Sequence, residues 1–277
     1  MALIQMTFFS QKLMRTVPVV VILPADKWND KGETAGEDKR YPTLYLLHGV
    51  FGSCGDWLYQ TRIQMYAEEH DLAVVMPSGE NAFYVDQGKI HNLYGEYIGE
   101  ELVNMTRRMF PLSRKREETY IGGLSMGGYG ALRNGLKYRD TFGAVVALSA
   151  ALVTDAAPQR TNDAGLFIEG RDYAEAVWGD LESLAGSDMD PKFLVCRAKE
   201  EGGNIPDIYM ACGEEDSLLG VNTEMADFLR KNGLKVRFET GPGGHDWKFW
   251  DSRIEEAVRW LPTEYTGQGI GSGNVGI

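Results

Sequence analysis

The stretch GLSMGGYG, residues 123–130, places one serine, Ser125, among four glycines. A glycine inside a regular element costs about 0.5–1 kcal/mol relative to alanine, so this density indicates a backbone that side chains would obstruct. The preceding residues 119–124 have the apolar pattern of a strand, and the residues after Ser125 have that of a helix. A GxSxG motif between a strand and a helix is typical of a sharp turn that lifts the serine hydroxyl above a sheet. We therefore interpret Ser125 as a catalytic nucleophile rather than as a helix cap.

A serine hydroxyl is a weak nucleophile and needs a base, which is most often a histidine. In α/β-hydrolases the triad follows the chain order serine, acid, histidine. Of the four histidines, only His245 lies after Ser125. It stands in the glycine-rich loop GPGGHDW, residues 241–247, between a predicted strand and the last predicted helix. His245 is therefore the predicted base.

The acid of such a triad should follow an earlier strand, so that its carboxylate can accept the imidazole N–H. The strand predicted at residues 208–212 is followed by Gly-Glu-Glu-Asp, which offers three carboxylates. Spacing alone leaves Glu214, Glu215 and Asp216 open as the acid.

The oxyanion formed during attack on a carbonyl needs backbone N–H donors. One donor should be Met126, the residue after the nucleophile. The second should come from the loop after an earlier strand, and LLHGVFGS, residues 46–53, fits this role with Val50 as the candidate. We interpret His48 in the same segment as a structural residue that closes the strand.

Aromatic residues in the neighbouring loops are candidates for the wall of an acyl or aryl pocket. These predicted substrate-binding residues are Trp57, Phe83, Tyr84, Phe167 and Trp178.

Short apolar runs alternate with helical patterns along the chain, which favours right-handed crossovers and a mostly parallel sheet. The predicted fold class is α/β, an α/β-hydrolase fold built as a three-layer α/β/α sandwich. Strands are predicted at residues 17–23, 43–47, 72–76, 119–124, 144–148, 208–212 and 235–239. Helices are predicted at residues 57–69, 97–109, 125–138, 221–232 and 246–261.

A single domain is predicted over residues 1–262, because a chain of 277 residues can bury one large core. Two long segments interrupt the alternation, a loop at residues 79–93 and an insertion at residues 150–206. Both follow strands, so both should lie at the carboxyl edge of the sheet, where the insertion is a candidate cap over the site. Residues 263–277 are rich in glycine and are predicted to form a flexible tail.

The formal net charge of −12 argues against binding to nucleic acid or to an anionic membrane. The three cysteines are widely spaced and form no CxxC pair, so the sequence indicates neither a disulfide framework nor a zinc site. The N-terminal residues lack the pattern of a signal peptide, and no apolar run has the length of a membrane span. A cytoplasmic location is therefore expected.

The chain resembles the esterase D-like α/β-hydrolases, close to bacterial tributyrin esterases and to acetyl or feruloyl esterases of the carbohydrate esterase family 1 type. The resemblance extends to about residue 262. It rests on TFFSQKLMRTVPVVVILP (7–24), YPTLYLLHGVFGSCGDWL (41–58), LAVVMPSGENAFYVD (72–86), KREETYIGGLSMGGYGAL (115–132), ACGEEDSLL (211–219) and GGHDWKFWDSRIEEAVRWLP (243–262).

The resemblance implies a serine carboxylesterase that acts on short acyl esters without a metal or organic cofactor. It also implies Asp216 as the triad acid, because the family pattern CGExD aligns with residues 212–216. It implies Ser125 as nucleophile, His245 as base, and the backbone of Val50 and Met126 as oxyanion donors. A homo-oligomer, dimeric or tetrameric, is expected from the same resemblance.

Three alternatives remain at this point. The nearest is a thioesterase such as an S-formylglutathione hydrolase, and the second is an acyltransferase whose pocket excludes water. The third is a binding protein on a hydrolase scaffold, which usually lacks a triad member. The sequence leaves the natural acyl and alcohol groups open among acetyl, butyryl and feruloyl esters and acetylated carbohydrates.

Overall fold

The computed structural model describes residues 1–28, 36, 38–271 and 274–275, and its centre is an eight-stranded sheet. Four of its eight strands are buried over their whole length, which matches their continuous apolar sequences. The strands are β1 (Ala2–Ser10), β2 (Arg15–Leu23), β3 (Thr43–Leu47), β4 (Ala73–Pro77), β5 (Thr119–Leu124), β6 (Ala144–Leu148), β7 (Asp207–Gly213) and β8 (Val236–Gly241).

The strand order in the sheet is β1-β2-β4-β3-β5-β6-β7-β8. Strand β2 runs antiparallel to both of its neighbours, β1 and β4. The pairs from β4 through β3, β5, β6 and β7 to β8 are all parallel. The predicted mostly parallel sheet is therefore confirmed, and the carboxyl ends of its six parallel strands share one edge.

Helices cover both faces of the sheet and bury two apolar clusters against it. Helices α3, α4 and α7 contribute to one cluster, and α1, α2 and α8 contribute to the other, so the three-layer architecture is confirmed. The α-helices of five or more residues are α1 (Asp56–Gln60), α2 (Ile63–Glu69), α3 (Leu102–Met109), α4 (Met126–Lys137), α5 (Arg171–Trp178), α6 (Pro191–Glu201), α7 (Leu219–Lys231) and α8 (Trp247–Trp260).

Three elements differ from the sequence predictions. The helix predicted over residues 97–109 begins as a π-helix, Tyr97–Glu101, and becomes α-helical only in α3. The edge strand β1 was not among the predicted strands, although its residues alternate between half-buried and exposed positions along most of its length. The helix predicted over residues 57–69 is two short helices, because Thr61 between them has an extended backbone (φ −137°, ψ 172°). Its hydroxyl accepts the N–H of Ile63 and so begins the second helix.

The insertion at residues 150–206 contains α5, α6 and several single turns. The C-terminal residues after α8 contact the rest of the chain as far as they are described: the N–H of Thr266 donates to the carbonyl of Glu69 at 2.7 Å, and the N–H of Ile270 donates to that of Trp28 at 2.8 Å. Residues 272, 273, 276 and 277 of the predicted flexible tail lie outside the described residues. Within the described part of the chain, no helix has both the length and the apolar character needed to cross a membrane.

Candidate active site

Ser125 occupies the turn between β5 and α4 with a backbone conformation that L-residues rarely adopt (φ 53°, ψ −118°). A Cβ on Gly127 would lie 2.7 Å from the carbonyl oxygen of His48, and one on Gly123 would collide with the carbonyl of Gly127. Both obstacles are backbone atoms that side-chain movement cannot relieve. The glycines of the motif are therefore required by the close approach of the chain, and they leave the serine at the carboxyl edge of the sheet.

The turn is fixed by hydrogen bonds to the next strand and to the start of the insertion. The N–H of Ser125 donates to the carbonyl of Leu148 at 2.9 Å, and the N–H of Ala151 donates to the carbonyl of Ser125 at 2.9 Å. Ser125 as a whole is only 6% exposed.

The loops after β7 and β8 bind each other and bring an acid and a histidine together. The N–H of Glu214 donates to the carbonyl of Gly241 at 2.9 Å, and the N–H of Glu215 donates to that of Gly243 at 3.2 Å. The Glu215 carboxylate in turn accepts the N–H of Gly243 at 2.5 Å. Glu215 thus holds the backbone of the histidine loop with both its N–H and its carboxylate. The carboxylate of Asp216 is left to face the imidazole.

His245 lies between Asp216 and Ser125. Its Nδ1 is 2.9 Å from Oδ2 of Asp216, and its Nε2 is 3.0 Å from Oγ of Ser125. The other carboxylate oxygen of Asp216 accepts the N–H of Leu218 at 2.9 Å, and the Asp216 side chain is fully buried. Because a carboxylate accepts the Nδ1 proton, Nε2 presents its lone pair to the serine hydroxyl.

Two tryptophan rings of α8 pack beside the imidazole of His245. The ring of Trp250 meets His245 edge to face at 4.9 Å between centroids, and its indole N–H donates to the hydroxyl of Ser149 at 3.1 Å. Trp247 packs at 5.2 Å against Trp250. These two tryptophans were not among the predicted site residues, although their positions two and five residues after His245 are a usable signal.

The loop after β3 carries Val50 beside the nucleophile turn. Gly49 approaches so closely that a Cβ there would lie 2.7 Å from Cδ1 of Leu124. The N–H of Val50 donates to no acceptor within the described residues, and as the first residue of α4, Met126 has no intrahelical acceptor for its N–H. Within the described ranges, the N–H groups of Val50 and Met126 are therefore two free donors beside Ser125, and both are available to a negatively charged oxygen.

His48 is a structural residue in this loop. Its Nε2 accepts the N–H of Gly79 at 2.9 Å, so its Nδ1 carries the proton and donates to the carbonyl of Gly49 at 2.6 Å. Burial lowers the pKa of His48 because the charged ring would lose its hydration. The neutral ring thus joins the loops that follow β3 and β4.

A cavity of about 740 Å³ opens over Ser125 and His245. Its wall combines the loop after β3, the first part of the insertion and the start of α8. Its lining includes Val50, Asp56, Phe83, Arg160, Glu169 and Asp246.

The predicted pocket residues have different positions. Phe83 lines the cavity, and Trp178 packs behind it at 4.7 Å between ring centroids. Phe167 lies outside the cavity lining, is 63% exposed and packs against Phe51, which lines the cavity. Trp57 and Tyr84 are buried in the core and do not reach the cavity, so their prediction as pocket residues was wrong.

The reason is visible in the hydrogen bonds of those two residues. The indole N–H of Trp57 donates to the carbonyl of Leu47 at 2.9 Å, and the hydroxyl of Tyr84 donates to that of His48 at 3.0 Å. Both side chains therefore point into the protein and bind backbone carbonyls at the start of the loop after β3. The sequence identifies them as aromatic residues near loops, but it carries no information on the direction of their side chains.

A strained serine between glycines, a histidine and a buried carboxylate at the edge of this sheet define a serine hydrolase of the α/β-hydrolase fold. A family model described as "Putative esterase" matches residues 10–261. The chain therefore belongs to this esterase family and is a carboxylic ester hydrolase.

Relatives support this membership. An acetyl esterase of Caldicellulosiruptor saccharolyticus is 44% identical over 261 residues, which are 94% of this chain and 98% of that protein. The solved structure of a fluorophosphonate-binding serine hydrolase of Staphylococcus aureus is 33% identical, with a TM-score of 0.82 over 94% of this chain and 98% of that one. An S-formylglutathione hydrolase of Staphylococcus aureus is 33% identical with a TM-score of 0.80 over the same shares.

Proposed function

We propose that this esterase hydrolyses short-chain acyl esters through a triad of Ser125, His245 and Asp216. The observation that carries the proposal is the position of His245, 3.0 Å from the serine hydroxyl on one side and 2.9 Å from the carboxylate on the other. This is the geometry in which an imidazole can take the proton of the attacking hydroxyl.

In the first half of the reaction, Nε2 of His245 removes the hydroxyl proton while Oγ of Ser125 attacks the ester carbonyl. The negative charge that develops on the carbonyl oxygen is stabilised by the N–H groups of Val50 and Met126, which the start of α4 supports with its dipole. Asp216 holds the imidazole in the required tautomer and stabilises its charged form. The imidazolium then protonates the leaving alcohol, and an acyl-serine remains.

In the second half, a water molecule gives its proton to Nε2 and attacks the acyl carbon. The same two amides stabilise the second tetrahedral intermediate. Collapse of this intermediate releases the acid and returns the proton to Oγ of Ser125. No metal or organic cofactor takes part in the proposed cycle.

The acyl group is proposed to be acetyl or butyryl. The support is the 44% identity to a protein named as an acetyl esterase. The acyl preference is measured by comparing hydrolysis rates on acetyl, butyryl, hexanoyl and feruloyl esters and on acetylated carbohydrates. An acetyl or butyryl optimum is expected, and an optimum on feruloyl or long acyl groups would contradict the proposal.

A thioester substrate is the second candidate, favoured by the 33% identity to an S-formylglutathione hydrolase. The comparison of kcat/KM for S-formylglutathione with that for phenyl acetate separates the two. The esterase proposal expects the larger value for phenyl acetate, and a value at least tenfold larger for the thioester would replace it.

The triad is tested with Ser125→Ala, which should abolish 4-nitrophenyl acetate hydrolysis because no other hydroxyl lies against Nε2 of His245 in the described residues. Ser252→Ala is the matched control, since Ser252 is an exposed serine of α8 whose hydroxyl donates, as far as the chain is described, to the carbonyl of Phe249 alone. Full activity is expected in the control. Activity retained by Ser125→Ala would refute the assignment.

A further inference from the structure

Arg160 is the one arginine or lysine among the described residues that line the catalytic cavity. It follows the turn Ala157–Gln159 in the first part of the insertion, and its side chain is partly buried. Its guanidinium lies over the ring of Trp178 at 5.6 Å from the centroid and donates to the carbonyl of Ile168 at 2.9 Å. These two contacts hold the cation at the wall of the cavity that contains Ser125.

The guanidinium retains unused donors. It has five N–H groups, and among the described residues the Ile168 carbonyl is its one hydrogen-bond acceptor. Within that same part of the chain, no carboxylate lies within ion-pair distance of it. Glu169 acts on it electrostatically, but the Glu169 side chain is exposed. A partly buried cation without an ion partner is costly unless a ligand supplies one.

The other acidic groups of the cavity are already engaged. Asp56 accepts the N–H and the hydroxyl of Ser53, both at 3.1 Å. Asp246 accepts the N–H groups of Lys248 and Phe249 at the start of α8. Both carboxylates have hydrogen-bond donors of their own, and in the described part of the chain neither lies within ion-pair distance of Arg160.

We propose that Arg160 is a specificity-determining residue that binds an anionic group, a carboxylate, on the ester substrate. The inference rests on the proposed esterase function, because it assigns a partner to the substrate of that same site. A planar guanidinium held against an aromatic ring presents paired donors that match a carboxylate. The carboxylate can belong to the acyl part or to the alcohol part of the ester.

Two substrate pairs distinguish these sources. Monomethyl succinate against methyl butyrate tests a carboxylate on the acyl part, and 3-acetoxybenzoate against phenyl acetate tests one on the alcohol part. For each pair, the ratio of kcat/KM for the anionic ester to that for the neutral ester is measured in the wild type and in Arg160→Met. At least one ratio should fall about tenfold in the variant, mainly through a higher KM, as expected for loss of a hydrogen bond to a charged group.

Two further variants complete the test. Arg197→Met is the control for net charge, since Arg197 lies on α6, is exposed and pairs with Glu201. It should leave both ratios unchanged. Glu169→Gln should raise the responding ratio, because it removes a negative charge that acts on Arg160.

A purely structural Arg160 would lower the rates on anionic and neutral esters alike, and two unchanged ratios would overturn the proposal. If Arg160→Met fails to fold, Arg160→Gln carries the same comparison. If the wild type did not hydrolyse neutral esters, the proposed function itself would be refuted. Failure of the Arg160 proposal and failure of the proposed function are therefore distinguishable.

Discussion

Ser125 is a nearly buried residue with a left-handed backbone, and the surrounding glycines make this conformation possible. Gly127→Ala places a methyl group 2.7 Å from the carbonyl oxygen of His48, so the turn must move. We expect the variant to lose about 1–3 kcal/mol of unfolding free energy and most of its activity. Chemical denaturation and 4-nitrophenyl acetate kinetics measure the two effects.

The control for that variant is Gly220→Ala in α7, where a Cβ meets nothing within 4 Å. Because alanine favours the helix over glycine, this change should raise the unfolding free energy by up to about 1 kcal/mol. Equal stability losses in the two variants would show that the close packing at Gly127 is not the cause.

Three adjacent carboxylates follow β7, and we expect only Asp216 to matter for turnover. Asp216→Asn replaces the carboxylate with a neutral amide, which does not stabilise the charged imidazole and whose NH₂ group can hold His245 in the wrong tautomer, so kcat should fall by about 10²–10⁴. Glu214→Gln and Glu215→Gln should have small effects, since Glu214 is exposed and a glutamine side chain in place of Glu215 can still accept the N–H of Gly243 through its amide oxygen. A larger loss in Glu215→Gln than in Asp216→Asn would move the acid to Glu215.

At the scale of single residues, the sequence predicts the chemical role of a side chain better than the direction in which the side chain points. Ser125 and His245 could be selected because a motif and the position of a single downstream histidine carry the information. The acid remained open on spacing because its choice depends on how two loops bind each other in space. Trp57 and Tyr84 were misplaced for a similar reason, since an aromatic residue in a loop can face the cavity or the core.

Among the elements, α4 links the nucleophile to the loops that surround the cavity. The fully buried guanidinium of Arg133 donates to the carbonyl and carboxylate of Asp188 in the insertion, both at 2.9 Å, and lies 3.3 Å from Asp86. Burial alone would raise the pKa of Asp188, but the charges of Arg133 and Lys137 lower it. The helix thus anchors the candidate cap by charge as well as by packing.

Removal of this anchor should be costly. Arg133→Met leaves Asp86 and Asp188 with Lys137 alone, and we expect a loss of about 3 kcal/mol in unfolding free energy, the lower end for a broken buried pair because Asp188 is partly exposed. Lys137→Met, at a more exposed position, should cost about 1 kcal/mol or less. Denaturation of both variants provides the comparison, and an equal loss would argue against a special role for Arg133.

The elements themselves were predictable where their patterns were long. The strands β3 and β5 to β7 and the helices α4, α7 and α8 lie within about two residues of the predicted positions. Strand β1 was missed because an edge strand with one solvated face carries a weaker apolar signal than a buried run. The break at Thr61 was missed because it depends on one residue's backbone and not on the apolar period.

At the scale of the whole molecule, stability should depend on pH through His48. Its folded-state pKa is lowered by burial, so the unfolded chain binds more protons near and below pH 6.5, and stability falls as pH decreases through this range. His48→Gln can keep both hydrogen bonds with an amide that does not titrate. We expect its unfolding free energy to decrease less between pH 7.5 and pH 5.5 than that of the wild type.

Denaturation at the two pH values measures this difference. Burial also lowers the pKa of His70, so part of the pH dependence should remain in His48→Gln. The exposed His91 provides the control, and His91→Gln should keep the wild-type pH dependence. An unchanged pH dependence in His48→Gln would contradict the structural role of the neutral ring.

The convergence of three distant segments is a property of the sheet as a whole. Ser125, Asp216 and His245 follow β5, β7 and β8, whose carboxyl ends share one edge because the strands are parallel. This much followed from the predicted order of elements. A homo-oligomer remains a prediction, which the mass in solution tests.

The most direct test of the account is the site of covalent modification by a fluorophosphonate probe, located by peptide mass spectrometry. We predict one probe per chain, attached to Oγ of Ser125, and no labelling when Ser125 is alanine or when the protein is unfolded before exposure. Stoichiometric labelling at another residue, or ester hydrolysis that continues after Ser125 is fully modified, would contradict it.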